Sequence, residues 1–318
     1  TAESFDNIGV AQHEMTDYKS AIQSHQHALQ IRLKLFGENH ADTAQSYLSI
    51  GNTYHGLKEF KSALQSHQNA LQVRLKLFGE NHADTAQSYH EIGRTQHEIK
   101  DYKFALQSHQ RALQIRLKLF GEYHADTAQS YHNIGRVKHG LKDYESAIQS
   151  HQQALQIRLK LFGENHADTA QSYFNIGNTY HGLKDYKFAL QSHQRALQIR
   201  LKLFGESHVD TAQSYHNIGR AQHGFKDYKS AIQSHQHALE IRLKLFGESH
   251  ADTARSYHEM GVAQHSKRTL EDYISALESY QHAHIIRLRL YGENHANTRI
   301  SQQHIELVRG SIKKYNNK

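Results

Sequence analysis

Histidine is the residue type in this chain with the most capacity for chemistry, since 29 of the 318 residues are His. An imidazole can bind a metal ion, and it gains a proton near neutral pH. Most of these histidines recur in four columns, which within one period are His82, His90, His97 and His109. Two on one helix, such as His132 and His139, would lie about 10.5 Å apart, too far to share one ion. The pattern therefore indicates copies of one ancestral repeat and no metal site.

Sequence motifs for catalysis are absent. No G-x-x-x-x-G-K-[ST], G-x-S-x-G or H-E-x-x-H string occurs, and His-Glu pairs such as His90-Glu91 have no second His three residues beyond the Glu. The chain contains no Cys, which excludes disulfides, thiolate metal sites and cysteine nucleophiles. The sequence predicts a protein that is not an enzyme and needs no cofactor.

Charge and hydropathy favour a protein of the cytoplasm. Lys and Arg number 38 against 31 Asp and Glu, the formal charge is +7, and both signs are interspersed. Mean hydropathy is −0.78, and no apolar stretch is long enough to cross a membrane. The mild basic excess leaves RNA binding as a minor alternative, but no aromatic and basic stacking platform recurs. Because the chain begins at Thr1 inside a motif, we expect it to be a piece of a longer protein.

A self-comparison shows one motif repeated along the chain. The string LFGE ends at regular steps of 42 residues, at Glu38, Glu80, Glu122, Glu164, Glu206 and Glu248. A seventh version, Leu290 to Glu293, follows 45 residues later. Such a period is typical of stacked repeats, each of which buries its apolar face against its neighbours.

Each repeat is predicted to form two helices. In the third repeat, Asp84 and Gln87 have the spacing of a capping box that begins the first helix. A turn is expected near Lys100-Asp101, and apolar residues from Tyr102 to Phe120 then follow helical spacing. Gly121 suits a left-handed residue at the helix end. Gly93, Ala105 and Ala112 are small, and we expect them where helices approach closely.

These residues carry a resemblance to a known family. Tyr89-x-x-Ile92-Gly93, followed by Ala105 and Ala112, resembles the tetratricopeptide repeat signature. The 42-residue period with Ile-Arg-Leu-Lys-Leu-Phe-Gly-Glu-Asn-His-Ala-Asp-Thr-Ala resembles the variant in kinesin light chain. Two departures are Ala for the usual Pro of His-Pro-Asp, and His109 for a bulky apolar residue. The resemblance implies an all-α, right-handed superhelical solenoid of seven helix-turn-helix repeats plus a C-terminal capping helix.

We expect the array to cover residues 1–310, with a polar tail over 311–318. The repeats are predicted at about 1–36, 37–78, 79–120, 121–162, 163–204, 205–246 and 247–291. A capping helix is predicted at 295–309. The residues expected to pack on the last helix pair are Ile300, Ile305, Leu307 and Val308. The residues expected to be exposed to solvent are Ser301, Gln302, Gln303 and Glu306. Phe5 and Ile8 lack such cover, which predicts end-to-end self-association or fraying.

The repeats differ from one another mainly in their first helices. Repeats 3 and 5 differ at six positions, all on the first helix or at its end, while their second helices are identical. Drift on the least constrained surface is one explanation. Tuning of a binding surface is the other, and we prefer it because drift would also have changed exposed second-helix positions. Repeats 4 and 6 differ on the second helix as well.

The resemblance implies that first helices line a concave groove, where asparagines and basic residues of kinesin light chain hold short acidic peptides. By that correspondence the predicted peptide-binding groove contains Asn133, Arg136, Lys138, Phe174, Asn175, Asn178, Tyr180, Asn217 and Arg220. Peripheral groove positions are Asn7, Asn52, Arg94, His132, His139, His216 and His223. The recurring Tyr column, which includes Tyr89, is assigned to packing. Arg116 and Lys118 are interpreted as a solvated outer face of the second helix.

The leading functional hypothesis is a non-catalytic scaffold that binds an extended acidic, partly aromatic peptide. Asn can donate to and accept from a peptide backbone, and Arg suits a carboxylate. The alternative is an architectural spacer or sensor arm that self-associates through its repeat ends. Because histidines lie near the groove arginines, we also hypothesise that acidic ligands bind more tightly as pH falls toward about 6. Those histidines are His132, His139, His216 and His223.

Overall fold

The computed structural model describes residues 1–317, and this part of the chain folds into fifteen α-helices with no strand. The first helices of the pairs are α1 (Ala2–Glu14), α3 (Ala41–Gly56), α5 (Ala83–Glu98), α7 (Ala125–Gly140), α9 (Ala167–Gly182), α11 (Val209–Gly224) and α13 (Ala251–Lys267). The second helices are α2 (Tyr18–Phe36), α4 (Phe60–Phe78), α6 (Tyr102–Phe120), α8 (Tyr144–Phe162), α10 (Tyr186–Phe204), α12 (Tyr228–Phe246) and α14 (Leu270–Tyr291). A final helix, α15 (Ala296–Asn316), follows them.

The chain divides into two compact units, Thr1–Leu161 and a second unit that begins at Phe162. Inside each unit every first helix packs against its own second helix, and successive first helices also touch. Each unit is thus an all-α stack of helix pairs, as the repeat pattern predicts. The boundary lies at the end of α8, whereas the sequence predicts one array over residues 1–310. In residues 1–317 every helix is too short or too polar to cross a bilayer.

First helices begin at a histidine cap, which corrects the predicted capping box. His82 is the residue before α5, and its Nδ1 accepts a hydrogen bond from the backbone N–H of Asp84 at 3.2 Å. The His82 ring also stacks on Phe78 at the end of the previous helix, with 4.3 Å between ring centroids. Because the helix starts at Ala83, Asp84 lies inside its first turn, where a carboxylate is favourable beside the helix dipole. The loop histidines therefore have a structural role.

Small residues lie where the helices approach most closely, as predicted. Ala105 and Ala112 have no exposed surface. Gly93 on α5 faces the ring of His109 on α6, and a β-carbon on Gly93 would lie 2.8 Å from His109 Cε1. The glycine and the histidine are therefore complementary, which explains why this column carries an imidazole where a larger apolar side chain would be expected. Gly121 at the end of α6 has φ of 80°, in the left-handed region, also as predicted.

Arg116 is buried, which corrects its assignment to a solvated outer face. Its side chain extends from α6 to the first helix of the next repeat, where Nη1 donates to the Asp126 carbonyl at 3.1 Å and to Ser130 Oγ at 2.8 Å. Only 6 % of Arg116 is exposed, and Ser130 is fully buried. Lys118, two residues further, is exposed as predicted. An arginine at this position links consecutive repeats within each unit; these residues are Arg32, Arg74 and Arg116 in the first and Arg200, Arg242 and Arg287 in the second.

The last helix differs from its prediction in length and in its buried face. Helix α15 continues to Asn316, through most of the predicted tail, because Ile312 extends the apolar spacing of Ile305 and Val308 onto α14. Ile305 and Val308 are buried as predicted. Lys318 lies outside the described residues.

Three side chains of α15 have the opposite exposure to the one predicted. Ile300 and Leu307 are 41 % and 55 % exposed, whereas Ser301 is fully buried. Ser301 accepts a hydrogen bond from Arg287 and so continues the arginine–serine link of the repeats. Gln303 is exposed and Gln302 is half-buried, while Glu306 stands where the first helices carry their close-contact glycine.

Candidate functional site

We use the term first-helix face for the side chains that the first helices present around their conserved Ile-Gly pair. In the first unit it comprises Asn7, Asn52, Arg94, Asn133, Arg136 and Lys138. In the second unit it comprises Asn175, Asn178, Tyr180, Asn217 and Arg220. The sequence assigns these side chains to a groove, together with Phe174, His132, His139, His216 and His223, which are described below.

In the first unit the arginines of this face are tethered by acidic neighbours. Arg94 Nη2 lies 2.9 Å from Glu91 Oε2 and also donates to Asn52 Oδ1 at 3.3 Å. Arg136 is more exposed, and its Nη2 is 3.8 Å from Glu98 Oε1. Burial raises the pKa of Glu91, while Arg94 opposes that rise. Arg136 is thus the more exposed of the two arginines that the first-helix face has in this unit.

Asn133 is a structural residue of the first unit. It is 5 % exposed, its Nδ2 lies 3.3 Å from His90 Nδ1, and its Oδ1 accepts from Gln129. The Asn133 side-chain amide consequently joins its own repeat to the preceding one. Lys138 donates to Ser150 Oγ at 3.3 Å on its own second helix. Asn7, in contrast, is exposed.

In the second unit an asparagine pair bridges consecutive first helices. Asn217 Nδ2 donates to Asn178 Oδ1 at 2.8 Å, and Asn217 is 3 % exposed. Asn175 Oδ1 accepts from Gln171 at 3.3 Å. Arg220, one residue beyond Gly219, is exposed and forms no hydrogen bond and no ion pair within the described chain. Arg220 is the cation of this face that remains available to a ligand.

The aromatic part of the face includes a residue that the sequence analysis missed. Tyr180 stacks on Phe188 of α10, with ring centroids 5.2 Å apart and planes inclined by 26°. Phe188 is 47 % exposed. Phe174, by contrast, packs edge-on against buried His193 and lies under the Arg200 guanidinium at 4.5 Å. A signal for Phe188 was present, because that position is Ser in five other repeats.

The histidines near the arginines do not support the predicted acid-strengthened binding. His132 and His216 are 7 % and 4 % exposed, and burial holds the pKa of each well below its ordinary value. His223 is half-buried, donates to or accepts from Ser266 at 3.0 Å, and has a pKa lowered by burial. His139 contacts the Tyr144 ring. Burial favours the neutral form of His132 and His216, and it therefore opposes the gain of charge on which the hypothesis depends.

A second histidine column is buried within the first six helix pairs, and Tyr280 takes its place in the seventh. Burial lowers the pKa of His151, His193 and His235 to about 3. The first repeat differs, because Asp6 stands on α1 and its Oδ1 lies 2.7 Å from His25 Nδ1. The hydrogen bond to His25 lowers the pKa of Asp6. These rings are core elements that carry no ligand-facing atoms.

Comparison with known proteins agrees with the repeat architecture. The sequence profile described as Tetratricopeptide repeat matches residues 1–68, 50–118, 100–160, 126–202 and 168–244. No curated protein sequence matches the chain.

Solved structures share the fold at low sequence identity. BtubC (BKLC) from P. vanneervenii is 21 % identical, with a TM-score of 0.64 over 72 % of this chain and 92 % of that one. A putative kinesin light chain of Podosopora anserina with nearly identical TPR-like repeats is 17 % identical, with a TM-score of 0.58 over 65 % and 98 %. The apo form of RapI is 19 % identical, with a TM-score of 0.60 over 85 % and 99 %. On the profile match, the chain belongs to the tetratricopeptide repeat family, and these solved structures share its fold.

Proposed function

We propose that this chain is a non-catalytic scaffold that binds an extended acidic, partly aromatic peptide along its first-helix face. The observation that carries the proposal is the exposed guanidinium of Arg220, which forms no hydrogen bond and no ion pair with the described residues. Arg136 supplies a comparable group in the first unit, held only by a long contact to Glu98. An exposed guanidinium without a partner can donate two hydrogen bonds to one carboxylate.

Charge pairing alone would bind such a peptide only weakly, so several kinds of contact must act together. An exposed ion pair contributes about 0–1 kcal/mol. A micromolar complex corresponds to about −8 kcal/mol, which requires apolar contacts and backbone hydrogen bonds as well. Asn175 and Asn178 are half-buried on the same helix, and their amides suit a peptide backbone. The Tyr180–Phe188 pair suits an aromatic side chain of the ligand.

The geometry narrows the set of residues that would touch the peptide. Asn133 and Asn217 are buried and engaged with neighbouring repeats, so we assign them to positioning the face. Phe174, which packs against His193, is also assigned to positioning the face. The proposed contact residues are then Arg136 and Lys138 in the first unit, and Asn175, Asn178, Tyr180 and Arg220 in the second.

The direct test is the double variant Arg136→Glu with Arg220→Glu, titrated with a panel of acidic peptides by calorimetry. We expect the dissociation constant to rise at least about tenfold, equivalent to 1.4 kcal/mol, and wild-type binding to weaken with salt. A matched control, Lys118→Glu with Lys202→Glu, makes the same charge change at exposed second-helix positions. Equal binding by the two double variants would contradict the proposal.

The spacer hypothesis has one observation in its favour. Phe5 and Ile8 on α1 are 36 % and 48 % exposed, which suits association through the first repeat. Light scattering over a range of concentrations separates the two functions. A spacer assembles as concentration rises and ignores the peptides, and Phe5→Ser with Ile8→Ser abolishes that assembly. A peptide scaffold binds ligand at concentrations where it is monomeric.

A further inference from the structure

The last repeat contains a cleft that the proposed function does not use. It has a volume of about 350 Å³ and lies between the start of α13, the end of α14 and the start of α15. Arg255, Arg287, Tyr291 and Asn297 line it, together with acidic residues considered below. All of these belong to the second unit.

Arg287 lacks the glutamine partner that Arg200 and Arg242 have at the same position of their repeats. In the preceding repeat, Arg242 Nη2 donates to Gln213 Oε1 at 3.2 Å, and Arg200 donates to Gln171 in the same way. In the last repeat that glutamine is replaced by Arg255. Arg287 Nη1 binds Ser301 Oγ at 2.6 Å and the Asn297 carbonyl at 3.3 Å, but its Nη2 donates to no group in the described chain. The residue is 8 % exposed, so a buried cation is left with an unused donor.

Three departures from the repeat add donors or positive charge to this one cleft. Arg255 replaces Gln213, Tyr291 replaces Phe246, and Asn297 replaces Asp252 of the preceding junction. Arg255 Nε is itself buried without a hydrogen-bond partner among residues 1–317. Burial, and after it the charge of Arg255, lowers the Arg242 pKa to about 10.

Two acidic groups, Asp252 and Glu259, line the cleft beside the two arginines. Asp252 Oδ1 lies 2.6 Å from Arg255 Nη2 and is thereby engaged. Glu259 replaces Asn217 of the preceding repeat, and burial raises its pKa. His258 Nδ1 faces Arg287 Nη1 at 3.3 Å, and burial together with Arg287 lowers the His258 pKa to about 3, so the ring is neutral. The lining residues contain two arginines and two carboxyl groups, as in the preceding junction, and the difference is that Arg287 Nη2 lacks the acceptor that Arg242 has.

We propose that this cleft binds an oxyanion, either a phosphate group or a carboxylate, through Arg287, Arg255 and the Tyr291 hydroxyl. Guanidinium groups bind both oxyanions in fork geometry. The first turn of α15, with Asn297 in place of an aspartate, adds the positive end of a helix dipole. The site uses no residue of the first-helix face assigned above, so it is independent of the proposed peptide binding.

The test is calorimetry and thermal unfolding of the whole chain with inorganic phosphate, and separately with succinate, at constant ionic strength set by NaCl. Saturable binding and a rise in Tm with either anion support the proposal, and the tighter of the two identifies the oxyanion source. Arg255→Gln should raise the dissociation constant at least about tenfold, and Tyr291→Phe about threefold. Both substitutions restore residues that the other repeats carry at these positions, so the variants are expected to fold.

The control is Arg299→Gln, which removes one positive charge from an exposed position of α15 outside the cleft. It should change binding less than about twofold. The proposal is overturned if neither anion binds saturably to the wild-type chain. It is equally overturned if Arg255→Gln and Tyr291→Phe both bind as the wild type does, or if Arg299→Gln loses as much affinity as Arg255→Gln.

Discussion

The ring of His109 occupies the space that a β-carbon on Gly93 would need, since that carbon would lie 2.8 Å from His109 Cε1 and 2.9 Å from Nδ1. The same pairing recurs at Gly135 with His151, and at Gly177 with His193. A helix interior normally favours Ala over Gly by about 1 kcal/mol. The glycine is kept here because the buried ring cannot move aside: only 2 % of His109 is exposed.

Replacement of Gly93 by Ala should therefore destabilise the protein. Overpacking costs typically about 1–3 kcal/mol, which exceeds the gain of about 1 kcal/mol in helix propensity. Urea unfolding of Gly93→Ala should show a lower midpoint than the wild type. The matched control is Gly310→Ala on α15, where no atom lies within 4 Å of the added carbon, and there the midpoint should rise. Equal shifts at both positions would contradict the close packing.

The link made by Arg116 predicts a large loss of stability on its removal. Arg116→Ala leaves Ser130 and the Asp126 carbonyl without their donor, and hydrogen bonds to a charged group contribute about 1.5–3 kcal/mol. Lys118→Ala on the same helix changes an exposed side chain and should shift stability by less than about 0.5 kcal/mol. Denaturant unfolding of the two variants makes the comparison. Similar stabilities for both would show that the buried arginine is dispensable.

Acid should destabilise the fold between about pH 6.5 and 3. His151, His193 and His235 have pKa values of about 3 when folded, against 6.5 for an unperturbed histidine. In that interval the unfolded chain binds more protons than the folded one, so stability falls as pH falls. At pH 5.5 each of these residues costs roughly 1.4 kcal/mol relative to high pH.

The measurement is the urea midpoint of the wild type and of His151→Leu from pH 7.5 down to 5. The variant should lose less stability than the wild type over this range, because one titrating group is gone. His237→Leu, at an exposed position of α12, is the control for the replacement of a histidine by leucine. Parallel curves for the wild type and His151→Leu would rule out this source of acid sensitivity.

The aromatic pair of the second unit predicts a selective effect on ligands. Phe188→Ala should weaken binding of acidic peptides that contain an aromatic residue by about 0.5–1.5 kcal/mol, and should leave peptides without one unchanged. Phe104 is its matched control, because α6 and α10 have the same sequence, and Gln96 stands at the position of Tyr180 in that repeat. Phe104→Ala should leave both peptide classes unchanged. Fluorescence anisotropy with labelled peptides separates these outcomes.

The prediction of helix pairs and small contact residues from the sequence succeeded because both depend on local periodicity. Gly93, Ala105 and Ala112 recur at helical spacing, and only close helix approach requires side chains of that size. The same periodicity misled the assignment of Arg116, since a charged side chain beside an exposed Lys118 suggests a solvated face. Its partner, Ser130, lies 14 residues away on another helix, and both recur in each period. The recurrence of this arginine together with this serine was the sequence signal for the contact between them.

The candidate site was predicted only in outline. Position in the repeat identified the first helices as the variable surface, but Asn133 and Arg136 lie three residues apart and have opposite exposure. The difference arises because His90 of the preceding repeat covers Asn133, whereas Arg136 extends beyond its neighbours. Phe188 was missed because it lies on a second helix and reaches the face only by stacking on Tyr180.

The sequence by itself determined the period, the pairing of helices and the family, because identical copies can bury their apolar faces only by stacking on one another. The tertiary structure alone decided which polar groups are available. His109 and Arg116 are polar residues buried in the stack. Within residues 1–317, Arg220 forms no hydrogen bond, and Arg287 Nη2 has no acceptor. A polar side chain binds a ligand only where neighbouring helices have left it without a partner, and that depends on distances between residues far apart in the chain.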